Sequence, residues 1–86
     1  MKNTALITGS YGGLGTCFVD IHGKKGGDMI LVGRSQAKLD AQAKEAASKY
    51  GVEIHTIAVD LSSPEAAQYI YDECMKNGWL PDVIKS

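Results

Sequence analysis

Thr8-Gly9-Ser10-Tyr11-Gly12-Gly13-Leu14-Gly15 is the segment whose residue types and spacing suit it to hold a ligand. It lies between a short apolar run and an amphipathic stretch, so strand, glycine turn and helix start follow one another. That succession points backbone N–H groups outward at the positive end of a helix dipole, which suits an anion such as the pyrophosphate of a dinucleotide. Each glycine has a physical task. Gly9 ends the strand and permits a sharp turn with positive φ. Gly13 has no side chain to keep a pyrophosphate from the backbone, and Gly15, on the first helical turn, lets helix and strand approach closely. A P-loop is excluded, because no Lys-Ser or Lys-Thr pair stands six residues after Gly9. The G-x-G-x-x-G spacing fails too, since Phe18 occupies the place of its third glycine.

Two further positions carry charge suited to a nucleotide. An acidic residue that grips the ribose 2′-hydroxyl of NAD is expected near the end of the second strand, roughly 20 residues beyond the glycine turn. Gly33 stands there, followed by Arg34. No carboxylate repels a 2′-phosphate, and a guanidinium fork is placed to bind one, which favours NADP over NAD. The alternative is an ordinary surface arginine. Asp60 closes the third strand, where a carboxylate can accept from a ligand or cap the following helix. His22 and His55 have no paired nucleophile and read as structural or solvated. Cys17 and Cys74, both on apolar helix positions, read as buried free thiols of a reducing, cytoplasmic setting.

The elements that position these residues alternate strand and helix. Thr4–Thr8 and Met29–Val32 are continuous apolar strands, the second covered on both faces. Leu14, Cys17, Phe18 and Ile21 recur at helical spacing, and Gly23 or Gly26-Gly27 closes that helix. Ser35 caps the next helix, with Leu39, Ala43, Ala46, Ala47 and Tyr50 as its apolar stripe and Gly51 as its stop. Val52–Val59 reads as the third strand. Ser63 caps a helix with Pro64 in its first turn, lined by Ala66, Ala67, Ile70 and Cys74 and ended by Asn77-Gly78. Trp79 packs near the turn that follows, and Asp82-Val83-Ile84 begins a fourth strand. The order β-α-β-α-β-α-(β) predicts an α/β fold: a truncated, Rossmann-like, doubly wound parallel sheet of three strands plus a fourth-strand stub, with three helices.

Composition sets outer bounds. Of 86 residues, 44% are apolar and 22% charged, with net charge −1, so one small domain is the limit and no basic footprint for nucleic acid exists. No apolar run approaches the roughly 20 residues of a membrane span, and Met1-Lys2-Asn3 has no signal-peptide layout. A domain of this size buries only about 60–65% of its unfolded surface, so its stability is marginal unless something covers the rest.

Together these residues resemble the short-chain dehydrogenase/reductase family. Thr8-Gly9-x-x-x-Gly13-x-Gly15 resembles its cofactor motif. Leu31-Val32-Gly33-Arg34-Ser35 with Lys38-Leu39 looks like its second strand and next helix, and Val59-Asp60-Leu61-Ser62 like the end of its third strand. The resemblance covers nearly the whole chain but only the opening part of a typical member, making residues 1–86 the N-terminal half of an NAD(P)-binding Rossmann domain. It implies that Gly9, Gly13 and Gly15 line the pyrophosphate with Ser10 and Leu14 nearby, and that Asp60 accepts from the adenine amino group with Leu61 beside it. The basic residue that many NADP-using relatives carry inside the glycine turn is missing from Ser10-Tyr11-Gly12.

The family's chemistry uses a tyrosine with a lysine four residues later, and an Asn-Asn-Ala-Gly turn after the fourth strand. Gly15, Ile54, Glu73 and Met75 stand four residues beyond Tyr11, Tyr50, Tyr69 and Tyr71, so no Tyr-x-x-x-Lys is present. Hydride transfer needs cofactor and proton donor together, and these residues supply at most the first. Two readings follow: the cofactor-binding segment of an NADP-dependent oxidoreductase acting on a carbonyl or alcohol, or a non-catalytic truncated remnant that self-associates and binds nucleotide weakly or not at all. Without a full fourth strand, Ala5-Leu6-Ile7 is expected to be an exposed apolar edge that drives pairing with a second copy. A signalling receiver with Asp60 as phospho-acceptor is disfavoured, because Thr8-Gly9 replaces the acidic residues it needs at the end of the first strand.

Overall fold

A computed structural model describes all 86 residues. The elements are β1 (Ala5–Thr8), α1 (Gly13–Lys24), β2 (Met29–Gly33), α2 (Gln36–Tyr50), β3 (Ile54–Ala58), α3 (Ala66–Asn77) and β4 (Val83–Lys85). The strands form one sheet in the order β3-β2-β1-β4, and every pairing is parallel. This is the first part of a doubly wound α/β sheet, as the alternation of elements predicts.

β2 is buried along its whole length because the sheet is covered on both faces. Met29 and Leu31 join Ala5, Ile7, Val19, Leu39 and Ala46 on the face beneath α1 and α2. Ile30 and Val32 join Leu6, Ile57 and Cys74 on the opposite face, against α3. Carboxylates fasten the strand starts. Asp28 accepts the backbone N–H groups of Lys2 and Glu53 through its two oxygens. Asp82 Oδ2 accepts the Thr4 N–H at 2.8 Å. Trp79, after α3, stacks on His55 of β3 with ring centroids 4.3 Å apart and planes 17° apart.

Four expectations need correction. β1 is not an edge: β4 pairs with it in the register Ala5↔Val83, Leu6↔Ile84, Ile7↔Lys85, and the exposed edge passes to β4. The inward face of α1 is Gly15, Val19, His22 and Gly23, not the stripe Leu14-Cys17-Phe18-Ile21. Two of those inward residues are glycines, which let the helix lie close to its neighbours; a Cβ at Gly23 would stand 2.3 Å from Tyr50 Cδ2. Apolar periodicity is blind to a face made by absent side chains. Consequently Cys17 is exposed, while Cys74 is buried and burial pushes its thiol pKa up, with the neighbouring Glu73 adding to the effect. His22 is buried, its Nε2 2.6 Å from the Asn3 carbonyl, a structural role.

The fourth correction concerns α3, which begins at Ala66 rather than at Ser63-Pro64, with Glu65 as its N-cap residue. Asp60 Oδ1 accepts both the N–H and the hydroxyl of Ser62, and Ser63 exchanges hydrogen bonds with Glu65. Such local side-chain bonds offer the backbone an alternative to the helix and delay its start. Ser35, by contrast, caps α2 as its type suggests, accepting the Lys38 N–H.

Candidate functional site

The glycine turn, the end of β2 and the end of β3 line one cleft of about 350 Å³, within the usual size of ligand sites. Gly9, Tyr11 and Gly12 form one wall, Gly33 and Arg34 the next, and Asp60, Leu61 and Ser62 the third. The cleft opens at the C-terminal ends of the parallel strands. Backbone bonds hold its rim: the Gly9 N–H donates to the Val32 carbonyl at 2.8 Å and the Val59 N–H to the Gly33 carbonyl at 2.8 Å.

The turn has the geometry its residues suggest. Gly9 has φ +63°, a conformation side chains disfavour. A Cβ at Gly15 would lie 2.0 Å from the Gly9 carbonyl oxygen and 2.8 Å from Ser10 Cα, so helix and turn touch through bare backbone. A Cβ at Gly13 would meet nothing within 4 Å; that glycine leaves open space over the helix start. Gly12 at the N-cap gives α1 no side-chain cap, and its first turn holds no acidic residue. The first N–H groups of such a helix have no intrahelical acceptor. An anionic group of pyrophosphate type therefore fits this donor set and the space above it.

The remaining residues are distributed unevenly around the cleft. Arg34 is largely exposed, its Nε 3.9 Å from Asp60 Oδ1. That separation, with both groups solvated, leaves the guanidinium available to a ligand. The Ser62 hydroxyl and backbone N–H hold the Asp60 carboxyl below its usual pKa against the opposing effect of desolvation, with a lesser contribution from Arg34. Asp60 does not cap α3; its Oδ1 closes the turn with Ser62, and Oδ2 accepts nothing from the protein. Leu61 and Leu14 are exposed, 41% and 63% respectively. Ser10 is fully buried, with its hydroxyl directed away from solvent toward α2.

Two residues of this region escaped the sequence reading. Gln42 of α2 grips the turn reciprocally: Ser10 Oγ donates to its Oε1 and its Nε2 donates to the Ser10 carbonyl, both at 2.7 Å. Its signal is a polar side chain three residues after Leu39 and four before Ala46, on a face otherwise apolar. Tyr11 reaches across to the turn between β2 and α2, where its hydroxyl accepts the N–H groups of Arg34 and Ser35 at 3.0 and 2.9 Å. Its signal is bulk: a large aromatic in a glycine turn must have a seat elsewhere. On the α3 face of the sheet, Leu6, Ile70, Cys74, Trp79 and Leu80 help line an apolar hollow of about 370 Å³. No helix is long and apolar enough to cross a membrane.

A parallel doubly wound sheet with a glycine turn and an uncapped helix at the ends of its strands is the arrangement in which α/β folds hold dinucleotides. The short chain dehydrogenase family model matches residues 3–80, and the chain belongs to that family. It is 39% identical over 69 residues to a very-long-chain 3-oxoacyl-CoA reductase of Bos taurus, spanning 80% of this chain and 21% of that protein. The structure is similar to that of L-sorbose reductase from Gluconobacter frateurii complexed with NADPH and L-sorbose. There the TM-score is 0.88 at 28% identity, covering 96% of this chain and 32% of the other. A short-chain dehydrogenase from Sphingobium yanoikuyae in complex with NADPH gives a TM-score of 0.71 at 34% identity, over 79% and 28% of the two chains. The chain thus spans about a fifth of that curated relative and about a third of these solved ones.

Proposed function

We propose that these residues are the cofactor-binding segment of an NADP-dependent short-chain oxidoreductase. In this reading Gly9, Gly13 and Gly15 line the pyrophosphate with Ser10 and Leu14 nearby, and Arg34 binds the 2′-phosphate. Asp60 accepts from the adenine amino group beside Leu61. The observation that carries it is the uncapped start of α1 standing in one molecule with a cleft walled by Gly9, Arg34 and Asp60. Gly33 at the end of β2 offers no carboxylate against a 2′-phosphate, and NADPH is the cofactor named in the two solved relatives. When bound, the nicotinamide supplies the hydride that is exchanged with a carbonyl or alcohol. The chain's own residues bind and orient the dinucleotide; no Tyr-x-x-x-Lys pair to move the proton occurs among them. Free thiols agree with a cytoplasmic setting.

Titration of the 86-residue chain with NADPH and NADH tests this, run beside a turnover assay. NADPH binds without turnover, and Arg34→Ala weakens NADPH about tenfold or more while NADH changes little, as for a charge-assisted phosphate contact. Equal losses for both ligands refute the NADP assignment, and no binding of either refutes the cofactor reading.

One observation favours the self-association of the second reading. Tyr71, Met75, Leu80 and Ile84 are 54–71% exposed around the apolar hollow, on the side of the sheet next to the β4 edge. On the isolated chain a second copy is the occupant we propose for this face.

A further inference from the structure

The cofactor reading gives Tyr11, whose ring and hydroxyl lie in the cleft, no task. Its hydroxyl has two lone pairs and one proton. The N–H groups of Arg34 and Ser35 converge on the oxygen from the end of β2 and take up both lone pairs. The proton donates to no acceptor in the protein and remains the group's one unused hydrogen bond. The ring cannot easily leave its seat. It lies over Gly33, where a Cβ would stand 2.7 Å from Tyr11 Cε2, and Lys38 Nζ sits 5.4 Å from its centroid. A donor fixed in this way belongs to the same wall as Arg34.

We infer that Tyr11 determines specificity for the 2′-phosphate of the cofactor, its hydroxyl donating to a phosphate oxygen beside the Arg34 guanidinium. The inference rests on the cofactor reading above. A phosphate monoester is the acceptor of choice for an oriented O–H, because it is anionic and its oxygens outnumber the protons it carries. A ribose 2′-hydroxyl brings its own proton and is served equally well by water, so it gains less. The sequence then has Gly33 doing two things: it removes the carboxylate that would oppose the phosphate, and it makes room for the ring that greets it.

The test compares the chain with its Tyr11→Phe variant, titrating each with NADPH, NADH, adenosine 2′,5′-bisphosphate and 5′-AMP. Loss of one hydrogen bond to a charged group weakens NADPH and the bisphosphate about tenfold, with less than about twofold change for NADH and AMP. Equal loss for all four ligands means that the phenol merely holds the β2–α2 turn, and overturns the inference, as does no change or a gain. An independent measurement on the unmutated chain uses carbon-13 at Tyr11 Cζ. Its resonance shifts on saturation with the bisphosphate and stays in place with AMP; the same response to both also overturns the inference. Selective NADPH loss in Arg34→Ala with a silent Tyr11→Phe sinks this inference alone, whereas an unmutated chain that binds none of the ligands sinks the cofactor reading with it.

Discussion

Two glycines two residues apart, Gly13 and Gly15, separate packing from ligand binding. Gly15→Ala drives a methyl group into the Gly9 carbonyl, and its nearest neighbours are all backbone, so the turn itself must move. Overpacking of this kind costs about 1–3 kcal/mol, and NADPH binding is lost with the turn. Gly13→Ala meets open space, and unfolding in urea leaves its stability equal to or above the parent's, since alanine is the better helix former. NADPH titration nonetheless shows it weakened, because the methyl group stands where the pyrophosphate is proposed to lie; parental affinity would remove Gly13 from the site. The glycine turn was legible because φ and volume are properties of single residues. Tyr11 and Gln42 were not, since their partners lie 23 to 32 residues away and only the fold brings them into reach.

Among the elements, the strand starts depend on Asp28. Burial pushes its pKa up, but the N–H groups of Lys2 and Glu53, aided by the charges of the N-terminus and Lys2, outweigh that and leave it lowered. A carboxyl depressed in the folded state adds stability above its unfolded pKa, close to 3.8, and loses it as pH falls through the folded value. Urea unfolding therefore shows stability that is level from neutral pH to about pH 5 and declines below about pH 4. Asp28→Asn keeps only one carbonyl acceptor for the two N–H groups, lowers neutral-pH stability by about 1 kcal/mol and flattens the acid decline. Asp60 and Glu65, also lowered, keep part of that decline. An unchanged acid profile would show that Asp28 does not couple the strands. Strand positions and the Ser35 cap were readable from local pattern, because continuous apolar runs and capping hydroxyls act within a few residues. The facing of α1 and the start of α3 were not: glycine packing adds no apolar signal, and the turn of Asp60, Ser62 and Ser63 competes with the helix at short range.

For the molecule as a whole, the order of strands followed from alternation and right-handed crossovers, whereas three residues of β4 give no period from which to read a completed pairing. That pairing moves the open edge outward to β4, where Val83 and Ile84 are 39% and 68% exposed. Sedimentation of the isolated chain at micromolar concentration shows a concentration-dependent dimer, and Ile84→Lys, which charges both the edge and the apolar face, returns it to monomer. A monomer in the unmutated chain would exclude the self-associating reading. The Thr4–Asp82 clasp has a further consequence, one of timing. It joins residues 78 apart, while Lys2 finds Asp28 after only 26. Lengthening a loop adds only about 0.6 kcal/mol per doubling, so entropy separates these two closures little. Synthesis separates them more: at about 5–20 residues per second, β4 emerges several seconds after β2. During that interval the far side of β1 has no strand to pair with, so of the three strand pairings this one is the last that synthesis permits.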